Sequence, residues 1–125
     1  MFKQERKFVD IKMANSNQND VVPELTNGEF EEFVKEGYVL IDFFADWCMP
    51  CLMMAPVIEE LSEIFNGKIK FAKVNVEDNK IISQKFKVMS IPNFKLFKDG
   101  IVIGEFLGVM SADDFEEKLG KFLKD

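Results

Sequence analysis

The chain has 125 residues, of which 47% are hydrophobic and 30% charged, a balance typical of a single globular domain. Its net charge of −6 argues against a nucleic-acid-binding surface, and the absence of histidine excludes histidine-based catalysis and histidine metal ligands. Two cysteines are too few for a four-thiolate zinc site or for a framework of several disulfides.

Residues 1–20 differ from the rest and are expected to be an N-terminal extension, partly ordered or flexible, before a folded domain at 21–125. Residues 14–20 are polar, with little to bury, as in a linker or a frayed arm. Three apolar residues of the extension are expected to form a short strand or an apolar tether: Phe8, Val9 and Ile11. The charges scattered through the first residues argue against a secretory signal, and no apolar run is long enough to span a membrane.

The folded domain is predicted to begin with a short strand at Val21–Val22, followed by a helix. Thr26 and Glu29 have the spacing of a capping box, in which each side chain binds the backbone amide of the other residue. Gly37 is expected to end this helix. Its apolar face is predicted to consist of three residues: Phe30, Phe33 and Val34.

The run Tyr38–Ala45 is almost entirely apolar, which is typical of a central strand covered on both faces, and it contains one acid, Asp42. A helix is predicted after Cys48, because apolar residues recur there at three- and four-residue spacing: Leu52, Ala55, Ile58, Leu61 and Phe65. Pro56 is expected to kink this helix, and Asn66-Gly67 to end it.

The remaining pattern predicts a strand over 69–76, a short helix capped by Asp78, and a final helix capped by Ser111. Between the last two helices, the hairpin signal Asp99-Gly100 joins two predicted strands: Pro92–Lys98 and Ile101–Leu107.

The predicted order of elements is (β)αβαβαββα, which indicates an α/β protein. Strands that alternate with helices indicate parallel pairs, and the hairpin adds an antiparallel pair. The sequence therefore predicts one mixed sheet with helices on both faces. Such a fold places Cys48 just after the carboxyl end of a central strand, where α/β sheets bind their ligands.

Cys48 and Cys51 lie three residues apart, at the predicted start of a helix. Residues at this spacing share a helical face, so the two sulfurs are within reach of each other. The positive potential of the helix N-terminus favours a thiolate at Cys48, and Cys51 is expected to be more shielded and to act as the resolving thiol. Two ordinary buried cysteines are the simpler interpretation, but it explains neither the spacing nor the neighbouring Trp47 and Pro50.

The segment Ala45–Cys51 (ADWCMPC) resembles the active-site segment of the thioredoxin family, whose usual form is WCGPC. Further matches follow in the same order and at suitable spacing: Asp42, Lys73, Ser90-Ile91-Pro92 and Gly108. The resemblance covers about residues 21–125 and implies the thioredoxin fold, with a central mixed sheet flanked by helices on both faces.

The resemblance implies catalytic roles for five residues: Cys48, Cys51, Asp42, Lys73 and Pro92. Asp42 has apolar neighbours that indicate burial, and burial raises the pKa of a carboxyl group, so Asp42 is expected to accept the Cys51 proton. Lys73 is expected to lie beside Asp42, although a plain strand lysine is the simpler interpretation. Pro92 is expected to follow a cis peptide bond, to offer the backbone of Ile91 to an extended substrate, and to keep metal ions from the dithiol.

The resemblance also implies a substrate-binding surface beside the cysteines: Trp47, Met49, Pro50, Ile91, Leu107, Gly108 and Val109. Two residues depart from the usual pattern. Met49 replaces a glycine and adds a soft apolar group, and Leu52 replaces a common lysine and removes a positive charge. More methionines are expected in the neighbourhood: Met53, Met54, Met89 and Met110. The docking face is therefore expected to be unusually apolar and to select apolar partners.

The function that the resemblance implies is reduction of protein disulfides through a Cys48/Cys51 dithiol–disulfide cycle. A thioredoxin-reductase-type donor is expected to regenerate the dithiol in the cytoplasm, with no bound cofactor, metal, nucleic acid or membrane. Pro50 resembles reducing members of the family. Two alternatives stay open: a disulfide oxidase or isomerase, and a thioredoxin-fold module that binds partners or holds unfolded chains.

Overall fold

In the computed structural model, residues 22–123 are described, and they form four helices and four strands. The helices are α1 (Asn27–Val34), α2 (Met49–Ile64), α3 (Lys80–Lys85) and α4 (Ala112–Gly120). The strands are β1 (Tyr38–Phe44), β2 (Ile69–Asn75), β3 (Asn93–Lys98) and β4 (Ile101–Leu107). The expectations for residues 1–20 and for Val21 lie outside the described residues.

The strands form one sheet in the order β2-β1-β3-β4. β1 and β2 are parallel, as predicted for strands joined by the long helix α2, whereas β3 runs antiparallel to both β1 and β4. The expectation of several parallel pairs was therefore wrong for β3. The physical reason lies in the connection: α3 has six residues and spans about 9 Å, less than the length of β2, so this helix does not carry the chain back to the start of β2.

Each face of the sheet carries its own apolar cluster, as predicted for a sheet with helices on both sides. One cluster packs α2 and α4 against the sheet, and it includes Leu40, Met54, Leu61, Phe94 and Phe115. The other packs α1 and α3 against the opposite face, and it includes Phe30, Val34, Ile41, Ile82 and Phe97. β1 is the strand buried on both sides: its five residues from Val39 to Phe43 are all buried, which explains its continuous apolar run.

Most predicted helix boundaries agree with the structure. At α1, Glu29 Oε1 accepts from the Thr26 amide at 2.9 Å, and at α4, Ser111 Oγ accepts from the Asp114 amide at 3.1 Å. The expected cap of α3 was wrong by one residue, because Asn79 and not Asp78 occupies the N-cap. α2 extends through Pro56 as one helix, so this proline does not divide it.

The first predicted strand is reduced to a single parallel bridge between Glu24 and Lys73. Pro23 contributes to this reduction, because proline has no amide to continue the ladder. No helix in the described part of the chain is long and apolar enough to cross a membrane.

The hairpin between β3 and β4 turns through Asp99 and Gly100, whose φ values of 49° and 85° are both positive. Asp99 is also bound to the start of β1: its Oδ1 accepts from the Gly37 amide at 2.7 Å, and its own amide donates to the Gly37 carbonyl at 3.0 Å. The hairpin tip is thus fixed at the sheet end opposite to the one where β1 finishes and β3 begins.

Candidate active site

Cys48 and Cys51 lie where β1 passes into α2. Cys48 occupies the N-cap of α2 in an extended conformation, and its Sγ accepts from the Cys51 amide at 3.2 Å. Pro50 fits the first turn because the amide it lacks has no helical partner there. The two Cα atoms are 5.2 Å apart, and the sulfurs are joined in a disulfide. The pairing of Cys48 with Cys51 that the spacing predicted is therefore present, in its oxidised form.

The two cysteines are shielded to the same degree in this oxidised state. Cys48 is 3% exposed and Cys51 is 5% exposed, so the expected greater shielding of Cys51 is absent. Both are covered because they pack in a small apolar cluster with Ala45, against which Phe44, Val76 and Ile91 lie.

The loop before β3 reaches this cluster because β3 begins at the sheet end where β1 finishes. Asn93 is paired with Phe43, so the preceding Ile91 packs against the cysteine cluster. The Ile91–Pro92 peptide bond is cis, as the resemblance implied. The Pro92 carbonyl accepts from the Gly108 amide at 3.0 Å, which brings the segment Leu107–Val109 alongside.

Asp42 is 6% exposed in the middle of β1, on the sheet face that α2 covers. Burial raises the pKa of Asp42 to about 7, and the positive charge of Lys73 opposes part of that rise. Its Oδ1 has no hydrogen-bond partner within residues 22–123. A carboxyl group with this pKa exchanges protons readily near neutral pH, although no hydrogen bond within the described residues joins it to either cysteine.

Lys73 is the partner of Asp42 in the register between β1 and β2, so both side chains lie on the same face of the sheet. The two form no ion pair shorter than 4.0 Å among the described residues. The Lys73 Nζ lies 5.7 Å from the centroid of the Phe44 ring instead. Lys73 therefore acts on Asp42 through its field and not through a direct bond.

The surface around the disulfide is apolar and open. Trp47 is 67% exposed and Met49 is 64% exposed, and Pro50 beside them is also exposed. Across the site, Leu107 and Val109 are more than half exposed on either side of Gly108, whose φ is +82°. Of the additional methionines, Met53 and Met89 are exposed, whereas Met54 is buried and Met110 packs against the core.

Two features of the site were missed by sequence reasoning. The Trp47 indole Nε1 donates to Glu77 Oε2 at 2.6 Å, across 30 residues of sequence, and no local pattern indicates such a contact. On the other face of the sheet, Lys95 is buried and its Nζ lies 2.7 Å from Glu105 Oε2, which also accepts from Asn93 Nδ2 at 3.2 Å. The sequence does hold one signal for this contact: Asn93 and Lys95 are two residues apart on one strand, a spacing that puts both side chains on one face.

Within residues 22–123, no group of three or more cysteine or acidic side chains is placed to hold a metal ion. The chemistry that these residues do support is redox exchange at sulfur. A disulfide lies at a helix N-terminus, which stabilises a thiolate after reduction, and a carboxyl group of pKa about 7 lies on the strand that leads to it.

Comparison with known proteins agrees with this geometry. The sequence profile of the Thioredoxin family matches residues 21–121. A thioredoxin of Staphylococcus haemolyticus (strain JCSC1435) is 39% identical over 102 residues, which are 82% of this chain and 98% of that protein. Thioredoxins of Staphylococcus aureus strains Mu50 / ATCC 700699 and MW2 are each 38% identical, with the same coverage. With a profile that spans most of the chain and relatives aligned over almost their whole length, the chain belongs to the thioredoxin family.

Proposed function

We propose that this chain reduces disulfide bonds in proteins through a dithiol–disulfide cycle at Cys48 and Cys51. The observation that carries the proposal is the position of the pair: a disulfide at the N-terminus of α2, beside the cis Ile91–Pro92 bond and open apolar side chains. As a member of the thioredoxin family, the chain is a thiol–disulfide oxidoreductase. The reducing direction is the part that we propose.

The cycle starts from the dithiol form. The Cys48 thiolate attacks one sulfur of the substrate disulfide, a mixed disulfide forms, and the other substrate sulfur leaves with the bonding electron pair. Cys51 then gives its proton to the Asp42 carboxylate and attacks the Cys48 sulfur. This step releases the second substrate sulfur and forms the Cys48–Cys51 disulfide. The substrate gains two electrons and, with two protons, becomes a dithiol.

The supporting residues have separate proposed roles. Lys73 keeps the pKa of Asp42 from rising further, so part of the carboxyl group is ionised at neutral pH. Pro92 holds the Ile91 backbone against the cysteine cluster, where an extended substrate strand can bind it. The side chains that contact the substrate are proposed to be those around the disulfide: Trp47, Met49, Pro50, Ile91, Leu107, Gly108 and Val109.

No step of this cycle uses a bound cofactor, and the electrons are proposed to come from a thioredoxin-reductase-type donor. Because the cycle consumes the dithiol, we propose that the protein works in the reducing cytoplasm. Residues 21–125 are proposed to be the working domain, and residues 1–20 an extension.

A test uses insulin reduction with the wild type, Cys48→Ser and Cys51→Ser. We expect both variants to be inactive in turnover. Cys51→Ser is expected to accumulate a mixed disulfide that mass spectrometry detects, and Cys48→Ser is not. A folded wild type that fails to reduce insulin would contradict the proposal, and a strongly oxidising measured potential would favour an oxidase or isomerase. Full biological function in Cys48→Ser would favour a binding module.

A further inference from the structure

The solvent-facing side of α2 carries a stripe that changes character along the helix. Met49, Leu52 and Met53 are spaced so that they share one face of the first turns, and each is more than half exposed. The same face continues into three exposed acids in the second half of the helix: Glu59, Glu60 and Glu63. We name this feature the α2 stripe, made of these six residues.

The acids of the α2 stripe are not explained by the stability of the helix. The C-terminal end of a helix carries a partial negative charge, so cations stabilise it and acids destabilise it. The last turn of α2 contains no basic residue, and none of the three glutamates forms an ion pair within residues 22–123. Only Glu63 lies in the last turn; Glu59 and Glu60 stand four and three residues before it, where like charges on one helical face repel each other. The three charges therefore cost helix stability, which is expected of residues that serve binding.

The apolar half of the α2 stripe adjoins the disulfide, because Met49 lies between the two cysteines. At 1.5 Å per residue, the glutamates lie about 9–15 Å along the helix from Met53. Long, flexible methionine side chains adapt to apolar partners of different shape. The stripe therefore offers an apolar anchor beside the reacting sulfurs and an acidic zone at a fixed distance from it.

We propose that the α2 stripe is a docking surface for a partner-protein segment with a large apolar side chain near its disulfide and a cluster of lysines or arginines about 9–15 Å further along. This proposal rests on the proposed function and names a class of its substrates. Basic side chains are assigned to the partner because they complement the negative charges of Glu59, Glu60 and Glu63. A second copy of this chain does not fit, because its net charge of −6 would be repelled by the glutamates.

The test uses binding, which does not depend on redox turnover. Trp47 is the single tryptophan of the chain, precedes Cys48 and is exposed, so its fluorescence reports a ligand seated on the apolar half of the stripe. The probe is a disulfide-free peptide with two leucines, a Gly-Ser-Gly spacer and three lysines. A matched peptide carries three glutamates in place of the lysines. Both are titrated into the oxidised full-length protein at low and high salt.

We expect the lysine peptide to bind at least about tenfold more tightly than the glutamate peptide at low salt, with the difference largely lost in 0.5 M salt. The variant Glu59→Gln/Glu60→Gln/Glu63→Gln is expected to lose this preference. The control Glu31→Gln/Glu32→Gln/Glu36→Gln removes the same charge from exposed positions at and just after α1, on the opposite side of the sheet, and is expected to keep the preference.

Equal binding of the two peptides by the wild type, or a preference that survives in the α2 variant, would overturn the proposal. Salt-sensitive self-association through this face would also overturn it. Leu52→Lys provides a second variant that places a cation inside the stripe, and it is expected to weaken the lysine peptide selectively. Reduction of insulin is measured in parallel: its absence in the folded wild type would contradict the proposed function, while the binding results still decide the docking surface.

Discussion

Asp42 is a buried carboxyl group, and burial disfavours its ionised form. In the unfolded chain its pKa is near 3.8, and burial raises it to about 7 in the folded protein. The folded state therefore binds this proton more tightly than the unfolded state. Well below pH 3.8 the group is neutral in both states, and it costs no stability. As the pH rises from about 4 to 7, ionisation favours unfolding, and above about 7 the cost is constant.

Replacing Asp42 with asparagine should remove this cost. We expect Asp42→Asn to lie within about 1 kcal/mol of the wild type in free energy of unfolding at pH 4 and to exceed it by a few kcal/mol at pH 8, measured by urea denaturation of the oxidised form. The exposed neighbour Asp46 serves as a control, since Asp46→Asn should change neither value by more than about 0.5 kcal/mol. An Asp42→Asn variant that gains nothing between pH 4 and 8 would refute the assigned cause.

Met49 and Leu52 are the two residues of the site that differ from the usual pattern of the family. The double variant Met49→Gly/Leu52→Lys removes two exposed apolar side chains and adds a cation. We expect KM for a disulfide peptide with apolar flanks to rise about tenfold, because roughly 1.4 kcal/mol of apolar contact is lost.

The matched control for this double variant is Ile101→Lys, which changes an equally exposed apolar residue next to the distant hairpin turn. Its KM should match that of the wild type. Unchanged affinity of the double variant across several such substrates would show that these side chains do not select partners.

At the residue scale, the sequence predicted the reacting residues better than the side-chain contacts around them. The positions of Cys48, Asp42 and Pro92 followed from spacing and resemblance. The partner of Trp47 did not, because Glu77 reaches it only through the fold. Lys95 shows the same limit: an alternating strand pattern is typical of one solvated face, yet this lysine is buried against Glu105.

At the element scale, local signals located every helix and strand within residues 22–123 but did not determine the direction of β3. Hydrophobic spacing and caps are properties of short segments, and they were visible along α1, β1 and α4. The antiparallel pairing of β3 depends on the path that the chain takes between β2 and β3, which no short segment of sequence determines, although α3 was correctly predicted to be short.

Gly104 in β4 packs closely against Phe122, which follows α4, and Gly120 at the end of α4 provides the contrast. A Cβ built on Gly104 would lie 2.9 Å from Cζ of the Phe122 ring, whereas one on Gly120 meets nothing within 4 Å. We expect Gly104→Ala to lower the free energy of unfolding by about 1–2 kcal/mol through overpacking. Gly120→Ala should raise it by about 0.5 kcal/mol through helix propensity. Thermal melts of the two variants measure both changes, and a Gly104→Ala protein as stable as the wild type would mean that the Phe122 ring moves aside without cost.

At the scale of the whole molecule, the described helices and strands all lie within residues 27–120. Both apolar clusters are built from residues 22–119 together with side chains packed against them, and the relatives align over 98% of their own length with 102 residues of this chain. We expect a chain of residues 21–125 to keep its melting temperature within about 2 °C and to keep kcat/KM for insulin reduction. A larger loss in either measurement would show that the extension contributes to the folded protein.

The fixed hairpin at Asp99 and Gly100 provides an attachment point that sets the orientation of the protein on a surface. β3 runs from the cis-proline loop to this turn, about 20 Å away, and the two hydrogen bonds to Gly37 keep the turn in place. A linker inserted at the turn would hold the protein from the end of the sheet opposite the disulfide. Molecules immobilised on an electrode in this way would face solution with their reactive sulfurs, so partners could be assayed on an oriented layer.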